Sequence, residues 1–323
     1  QILAVYTSLS DSDMRGLVAD YYLGELVSFQ GISGGVENTN YFVNTTTGKY
    51  VLTLFEEFEY DEVPYFLDVV AHLKHKGFNV PAALIDNHGE RLRVVQGRPA
   101  IMVDCFPGGL LEEGTTVESC RLMGKVLAQL HTAGMDFPEH RPSHRGMDWW
   151  RATSKSIAPE LETDQAHLLL EQVSEFDAFI AQYDDQLAKG TVHGDLFYNN
   201  TLFEGEQLSA IIDFYNACYS WLMYDLAIVV NDWCSDMSTG ELDMDKYHAM
   251  VNAYIHERQP SAAEIMSWPH MLKIAALRFW LSRLEAWHGA KHDPERLAQQ
   301  HDPMEFQRIL EARVRHAPSL TEN

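Results

Sequence analysis

The chain is poor in cysteine, poor in basic residues and free of any long apolar run. Its 323 residues include four cysteines, at positions 105, 120, 218 and 234. These are too scattered for a disulfide framework, and their apolar surroundings (IMVDCF, YNACYSW) read as a reduced core. No CxxC pair or HExxH spacing is present. His72/His75, His140/His144 and His288/His292 have helical spacing but lie in polar stretches, so they read as surface side chains rather than metal ligands. No segment approaches the roughly 18 apolar residues of a spanning helix, and no basic-then-apolar leader opens the chain. The expected location is therefore cytoplasmic, with no membrane partner. Lys and Arg number 24 against 47 Asp and Glu, a formal net charge of −23. That excess repels phosphate backbones and anionic surfaces, which excludes nucleic acid as an expected partner.

What is present is enough apolar material for a large core, with 46% hydrophobic and 11% aromatic residues. Capping residues followed by helix formers predict a short helix over 10–22. LVSFQ, NYFVNT and KYVLTLF then read as three strands of an antiparallel meander. Val63, Phe66, Leu67, Val70 and Leu73 recur at three- and four-residue spacing, predicting a helix over 62–76 that Gly77 ends. AALID, RLRVV and PAIMVDCF, separated by NHG and QGR turns, supply two more strands. After the break at PGG (107–109) the pattern turns helical, with segments over about 117–134, 161–188, 241–257, 262–288 and 303–315. Only TLF (201–203) and LSAIIDF (208–214) read as strands there. The expected architecture is α+β in two lobes: residues 1–106, an antiparallel sheet with one inserted helix, and residues 107–323, larger and mostly helical.

The chemistry concentrates in HGDLFYNNTLF (193–203) and IIDF (211–214). Phosphoryl transfer needs positioning and charge neutralisation more than covalent chemistry. A carboxylate near the acceptor hydroxyl orients it and takes its proton, while an amide and a second carboxylate hold Mg2+ on the nucleotide phosphates. Asp195, Asn200 and Asp213 have those types: Asp and Asn five apart on a loop, then a hairpin that returns a second Asp at a strand end. An isolated Asp with asparagines would only suggest a turn; Asp213 tips the balance toward catalysis. The glycine-rich GISGGVENTNY (31–41) lies between strands, where it can form a flap over phosphates. It also matches G-x-S-x-G, but a nucleophile elbow needs a helix to follow and here a strand does, so the hydrolase reading fails.

His193-Gly-Asp195-x-x-x-x-Asn200 with Ile-Ile-Asp213-Phe resembles the motif of the aminoglycoside phosphotransferase-like superfamily, relatives of protein kinases. Within it the chain is most similar to the homoserine kinase family, through GGVENTNYFV (34–43), YVLTLFE (50–56), GKVLAQLH (124–131), HGDLFYNN (193–200), IDFYNACYSWLMYDLAIVVNDWC (212–234) and LRFWLSRL (277–284). The resemblance implies a protein-kinase-like fold, with ATP and Mg2+ as cofactors and L-homoserine as the acceptor. It implies Asp195 as the catalytic carboxylate, Asn200 and Asp213 as metal ligands, and His193 and Asp225 as structural supports of the loop. Gly34, Gly35, Asn38, Asn40 and Thr53 fall on the nucleotide side. Thr53 departs from the wider pattern, which has Lys or Arg on the third strand. The departure leaves the cation's role missing or taken by Mg2+ and flap amides, and it motivates a non-catalytic nucleotide-binding alternative. Other amino alcohols, choline-like or aminoglycoside, are the alternatives within the fold.

A zwitterionic acceptor calls for a carboxylate or aromatic face for its ammonium and an Arg for its carboxylate. Asp232 and Trp233 in NDWC, and Arg278, Trp280 and Arg283 in LRFWLSRL, are the candidates. Arg278 and Arg283 are five apart and should not point the same way on one helix. Oligomeric state is not legible.

Overall fold

A computed structural model describes residues 6–33 and 37–321. The chain forms two compact units, Gln1–Gly108 with Leu202–Ile212, and Gly109–Thr201 with Asp213–Asn323. The sequence division at 106/107 keeps 202–212 in the second lobe, whereas the structure groups that segment with the first. The reason is Asn79, whose Nδ2 donates to the Ser209 carbonyl at 3.0 Å while its own carbonyl accepts from Ile211 N at 3.1 Å.

In the first unit, α1 (Asp11–Ala19) starts at a reciprocal cap in which Ser10 Oγ accepts from Asp13 N and Asp13 Oδ2 accepts from Ser10 N. Strands β1 (Leu26–Gly31), β2 (Asn38–Thr45) and β3 (Lys49–Phe55) follow, then α2 (Val63–His75), β4 (Arg93–Val95) and β5 (Arg98–Asp104). The sheet is antiparallel in the order β1-β2-β3-β5-β4, as expected of five strands with one inserted helix. Of the 82–86 segment only Ala83 joins it, through a single bridge to Val103. Strand alternation divides the sheet into two faces. One buries Tyr41, Val43, Leu52, Leu54, Ala100 and Met102 against Met14, Leu17 and Val18 of α1. Each fully buried side chain of this kind contributes about 1.5–3 kcal/mol. The other carries Asn40, Phe42, Val51, Thr53, Ile101 and Val103, paired across strands as Asn40 with Thr53, Phe42 with Val51, Thr53 with Ile101 and Val51 with Val103.

The second unit contains α3 (Val117–Gly134), α4 (Met147–Ile157), α5 (Thr163–Tyr183) and β6 (Lys189–Val192). The chain then passes through β7 (Thr201–Glu204) and β8 (Gln207–Ile211), a pair lying mostly in the first unit. It returns with β9 (Cys218–Trp221), α6 (Leu222–Trp233), α7 (Met244–Glu257), α8 (Ala262–Ala290), α9 (Pro294–Leu297) and α10 (Pro303–Arg315). All twelve residues of α6 are buried, so this helix is the unit's centre. Gly124 allows α3 and α7 to meet closely, because a Cβ there would lie 2.0 Å from the Met250 carbonyl oxygen. That approach brings side chains of the two helices within reach of one another. Two features escape sequence reading. The antiparallel pair β6–β9 has only four residues per strand, too few for a period to show. Helix α4 starts at Gly146 with no side-chain cap.

Candidate active site

Strand β6 delivers the chain into His193-Gly194-Asp195. Gly194 has φ +81°, and a Cβ there would lie 2.5 Å from the Asn216 carbonyl, so the turn requires glycine. His193 is fully buried; its Nδ1 accepts from Asp195 N at 3.2 Å and its ring packs 4.6 Å from Phe214. Asp225, from the first turn of α6, closes the back of the loop. Its Oδ1 accepts from Gly194 N at 2.9 Å and its Oδ2 from His193 N at 3.2 Å. Burial alone would raise this carboxyl. The hydrogen bond from His131, the fields of His131 and His193, and the Gly194 N–H outweigh it and hold Asp225 below its ordinary value.

His131 of α3 is a site residue that the motif reading does not single out. Its Nε2 lies 2.8 Å from Asp225 Oδ2, and its Nδ1 lies 2.7 Å from the Tyr254 hydroxyl of α7. The Tyr254 oxygen accepts from Arg258 Nη1 at 3.4 Å, and Arg258 Nη2 bonds both oxygens of Glu264 at 2.9 and 2.8 Å. A buried polar chain thus runs from the loop backbone to the start of α8. The only trace in the sequence is one His on an otherwise apolar helix face.

Asn200 folds back on Asp195. Its Nδ2 donates to the Asp195 carbonyl at 2.7 Å and stands 3.5 Å from Oδ2, which leaves the amide oxygen turned the other way. Asp213 lies two residues beyond the end of β8 rather than at a strand end, with φ +61°. A left-handed backbone is costly for any residue with a Cβ, and such strain concentrates where a side chain must be aimed.

The acceptor-side candidates separate. Asp232 is 7% exposed, and its Oδ2 accepts from Tyr198 N at 2.8 Å. Burial pushes its carboxyl up to about 7, which the Tyr198 N–H and the Arg283 charge only partly oppose. Trp233 is fully buried with its indole N–H on the Leu196 carbonyl at 3.0 Å, so it holds the loop and presents no free face to an acceptor. Trp280 is likewise fully buried. Arg278 and Arg283 diverge. Arg278 meets Asn216 Oδ1 at 3.3 Å and Ser282 Oγ at 3.0 Å, beside the residue that abuts Gly194. Arg283 Nη1 is bound to Glu305 Oε2 at 2.6 Å and to the Asp302 carbonyl at 3.0 Å.

On the sheet of the first unit, Asn38 is buried, and the buried Thr53 donates to Asn40 Oδ1 at 2.6 Å. Gly34 and Gly35 lie outside the described residues.

The family model of the phosphotransferase enzyme family matches residues 28–256. The chain belongs to that family. A homoserine kinase of Janthinobacterium sp. strain Marseille is 39% identical over 98% of this chain and 97% of its own length. A homoserine kinase of Cupriavidus pinatubonensis strain JMP 134 is 40% identical over 97% and 96%. Among solved structures, an amicoumacin kinase in complex with AMP-PNP and Ca2+ superposes with a TM-score of 0.72, covering 97% of this chain and 95% of that one at 15% identity, a likeness of fold. The homoserine kinase resemblance read from the motifs agrees with these relatives.

The oxygens present fit a hard divalent cation. Asp213 supplies a carboxylate and Asn200 an amide oxygen left outward by its own N–H bond, the donor types that Mg2+ takes when phosphates complete its shell. Among the described residues no group of three or more His, Cys, Asp or Glu gathers to hold a metal alone. Asn200 and Asp213 would hold such an ion only together with oxygens of a nucleotide.

Proposed function

We propose that this phosphotransferase transfers the γ-phosphoryl group of ATP to the hydroxyl of L-homoserine, giving O-phospho-L-homoserine, a step toward threonine. The observation that carries the reading is the Asp195 loop itself: a carboxylate held from behind by Asp225 and His193, with Asn200 folded against it. Relatives named homoserine kinase, 39–40% identical over nearly their whole length, support the acceptor.

In this reading Asp195 accepts the hydrogen bond of the acceptor hydroxyl, aims its oxygen at the γ-phosphorus and takes its proton as the new P–O bond forms and the bond to ADP breaks. Asn200 and Asp213 would hold Mg2+, which when bound would neutralise charge on the phosphate oxygens. His193 and Asp225 fix the loop without touching the reacting atoms. The free oxygen of Asp232 takes the α-ammonium, for a nearly buried carboxylate with a single backbone donor gains most from a cation. Arg278, reaching the Asp213–Asn216 segment, takes the α-carboxylate, and Arg283 serves α10. Gly34, Gly35 and Asn38 belong to the nucleotide flap. Among the described residues no helix is long and apolar enough to cross a membrane; an ATP-consuming enzyme with four free thiols fits the cytoplasm.

The test is ADP release from Mg-ATP with L-homoserine, choline, kanamycin, L-serine or no acceptor. Turnover with L-homoserine alone is expected. Turnover only with another acceptor would reassign the substrate, and ATP binding without turnover would favour the nucleotide-binding alternative.

A further inference from the structure

Thr53 stands where the wider superfamily places a cation against the nucleotide phosphates, and a threonine carries no charge. Kinases that use such a lysine pair it with a glutamate of the following helix. Here α2 (VPYFLDVVAHLKH) holds one acidic residue, Asp68, and it accepts from Arg91 Nη2 at 2.9 Å. The helix thus has no carboxylate left to partner a lysine, and an unpaired ammonium next to Thr53 would bear the full cost of burial.

What replaces it is visible across the sheet. Asn40 and Thr53 are direct cross-strand partners, and the Thr53 hydroxyl donates to Asn40 Oδ1 at 2.6 Å. Fixing the amide oxygen fixes the rotamer, so the nitrogen and its two N–H donors face the other way. No hydrogen bond from Asn40 Nδ2 to a described residue is present. The same sheet face continues from this pair through Phe42, Val51, Ile101 and Val103, an apolar strip between the Asn40–Thr53 pair and the Asn44–Lys49 pair. A nucleotide likewise sets an apolar ring beside anionic oxygens, and the Asn40 end of the strip offers those oxygens an uncharged donor. We propose that Asn40, oriented by Thr53, donates to an α- or β-phosphate oxygen of the nucleotide and takes over the role of the missing strand-three cation. The inference rests on the kinase reading and specifies its nucleotide side.

The experiment is calorimetric titration of wild-type chain and variants with Mg-ATP, Mg-ADP and adenosine. Asn40→Leu should weaken both phosphorylated ligands about tenfold or more, the scale of one hydrogen bond to a charged acceptor, while leaving adenosine within about twofold. Asn40→Asp should be at least as damaging, since it sets a carboxylate against phosphate. Thr53→Val should weaken ATP several-fold by freeing the amide, and Thr53→Ser, which keeps the hydroxyl, should bind like wild type. Equal losses for adenosine and ATP in the Asn40 variants, or no loss for either, would overturn the proposal. A wild-type chain that binds no nucleotide would defeat the kinase reading and this inference together.

Discussion

Two regions of this molecule, one in each unit, treat their polar side chains differently. Around Asp195 the polar groups are buried and tied more than once. Asp225 alone serves two backbone amides and His131, Trp233 bonds the Leu196 carbonyl and Asp232 the Tyr198 amide. On the face of the small unit's sheet that carries Asn40, the side-chain bonds join neutral partners: Thr53 donates to Asn40 Oδ1 and Asn44 to Ser28 Oγ. The difference teaches where this enzyme places rigidity. In the proposed reaction a carboxylate must meet a hydroxyl in one geometry and is braced by buried charge, whereas the Asn40 amide keeps its donors unspent for a nucleotide that must come and go.

The sharpest way to break the comparison is Asp195→Asn, which keeps shape and removes the proton acceptor. Turnover should fall by about 10²–10⁴-fold or more, with ATP affinity and melting temperature unchanged; steady-state kinetics beside calorimetry checks this. Asp225→Ala attacks the brace instead of the chemistry. Removing one partner of a buried pair costs about 3–5 kcal/mol, so this variant should lose stability and turnover together in urea titration and assay. The sign with pH follows from the lowered carboxyl. Asp225 stabilises the fold in full above the ordinary value of 3.8 and ceases to do so as pH falls through its lower folded value. The variant's acid unfolding limb should accordingly be shallower.

Asp232 should behave in the reverse sense. Its carboxyl sits near 7 in the fold against an ordinary 3.8, so the folded state holds the extra proton and ionisation costs stability from about pH 4 upward, fully above 7. Asp232→Asn should be more stable than wild type at pH 8.5 and converge with it near pH 4 in denaturant titrations. It should also raise the homoserine KM, and the wild-type KM should fall as pH rises through about 7, because the ionised form binds the ammonium. The smallest expected effect sharpens the outer end of the brace. Tyr254→Phe removes one hydroxyl between His131 and Arg258 and should cost about 1–3 kcal/mol with kcat lowered and both KM values kept. A change in KM alone would place Tyr254 outside the chain that positions the loop.

How much was legible in sequence follows the same division. The five-strand lobe with its inserted helix could be read because its strands are short β-branched and aromatic segments between turns and α2 repeats at helical spacing. Asp195 and Asn200 could be read because five residues of loop fold one back on the other locally, and Asp213 because its motif follows one hairpin later. His131 and Tyr254 could not, since each matters only through a partner about one hundred residues away, made reachable by the missing side chain of Gly124. The motif predicts Asp213 at a strand end, whereas its left-handed backbone depends on tertiary context that no motif spells out. The acceptor candidates show the limit most plainly. NDWC supplies one carboxylate with an oxygen to spare and one tryptophan wholly committed to the loop, and only their tertiary hydrogen bonds tell them apart.

The most direct test of the account is product identification: incubate the wild-type chain and Asp195→Asn with Mg-ATP and L-homoserine and follow phosphorus by NMR. The account predicts a phosphomonoester resonance of O-phospho-L-homoserine growing in step with ADP for the wild type and absent for the variant. ADP with inorganic phosphate alone, or equal product from the variant, would contradict it.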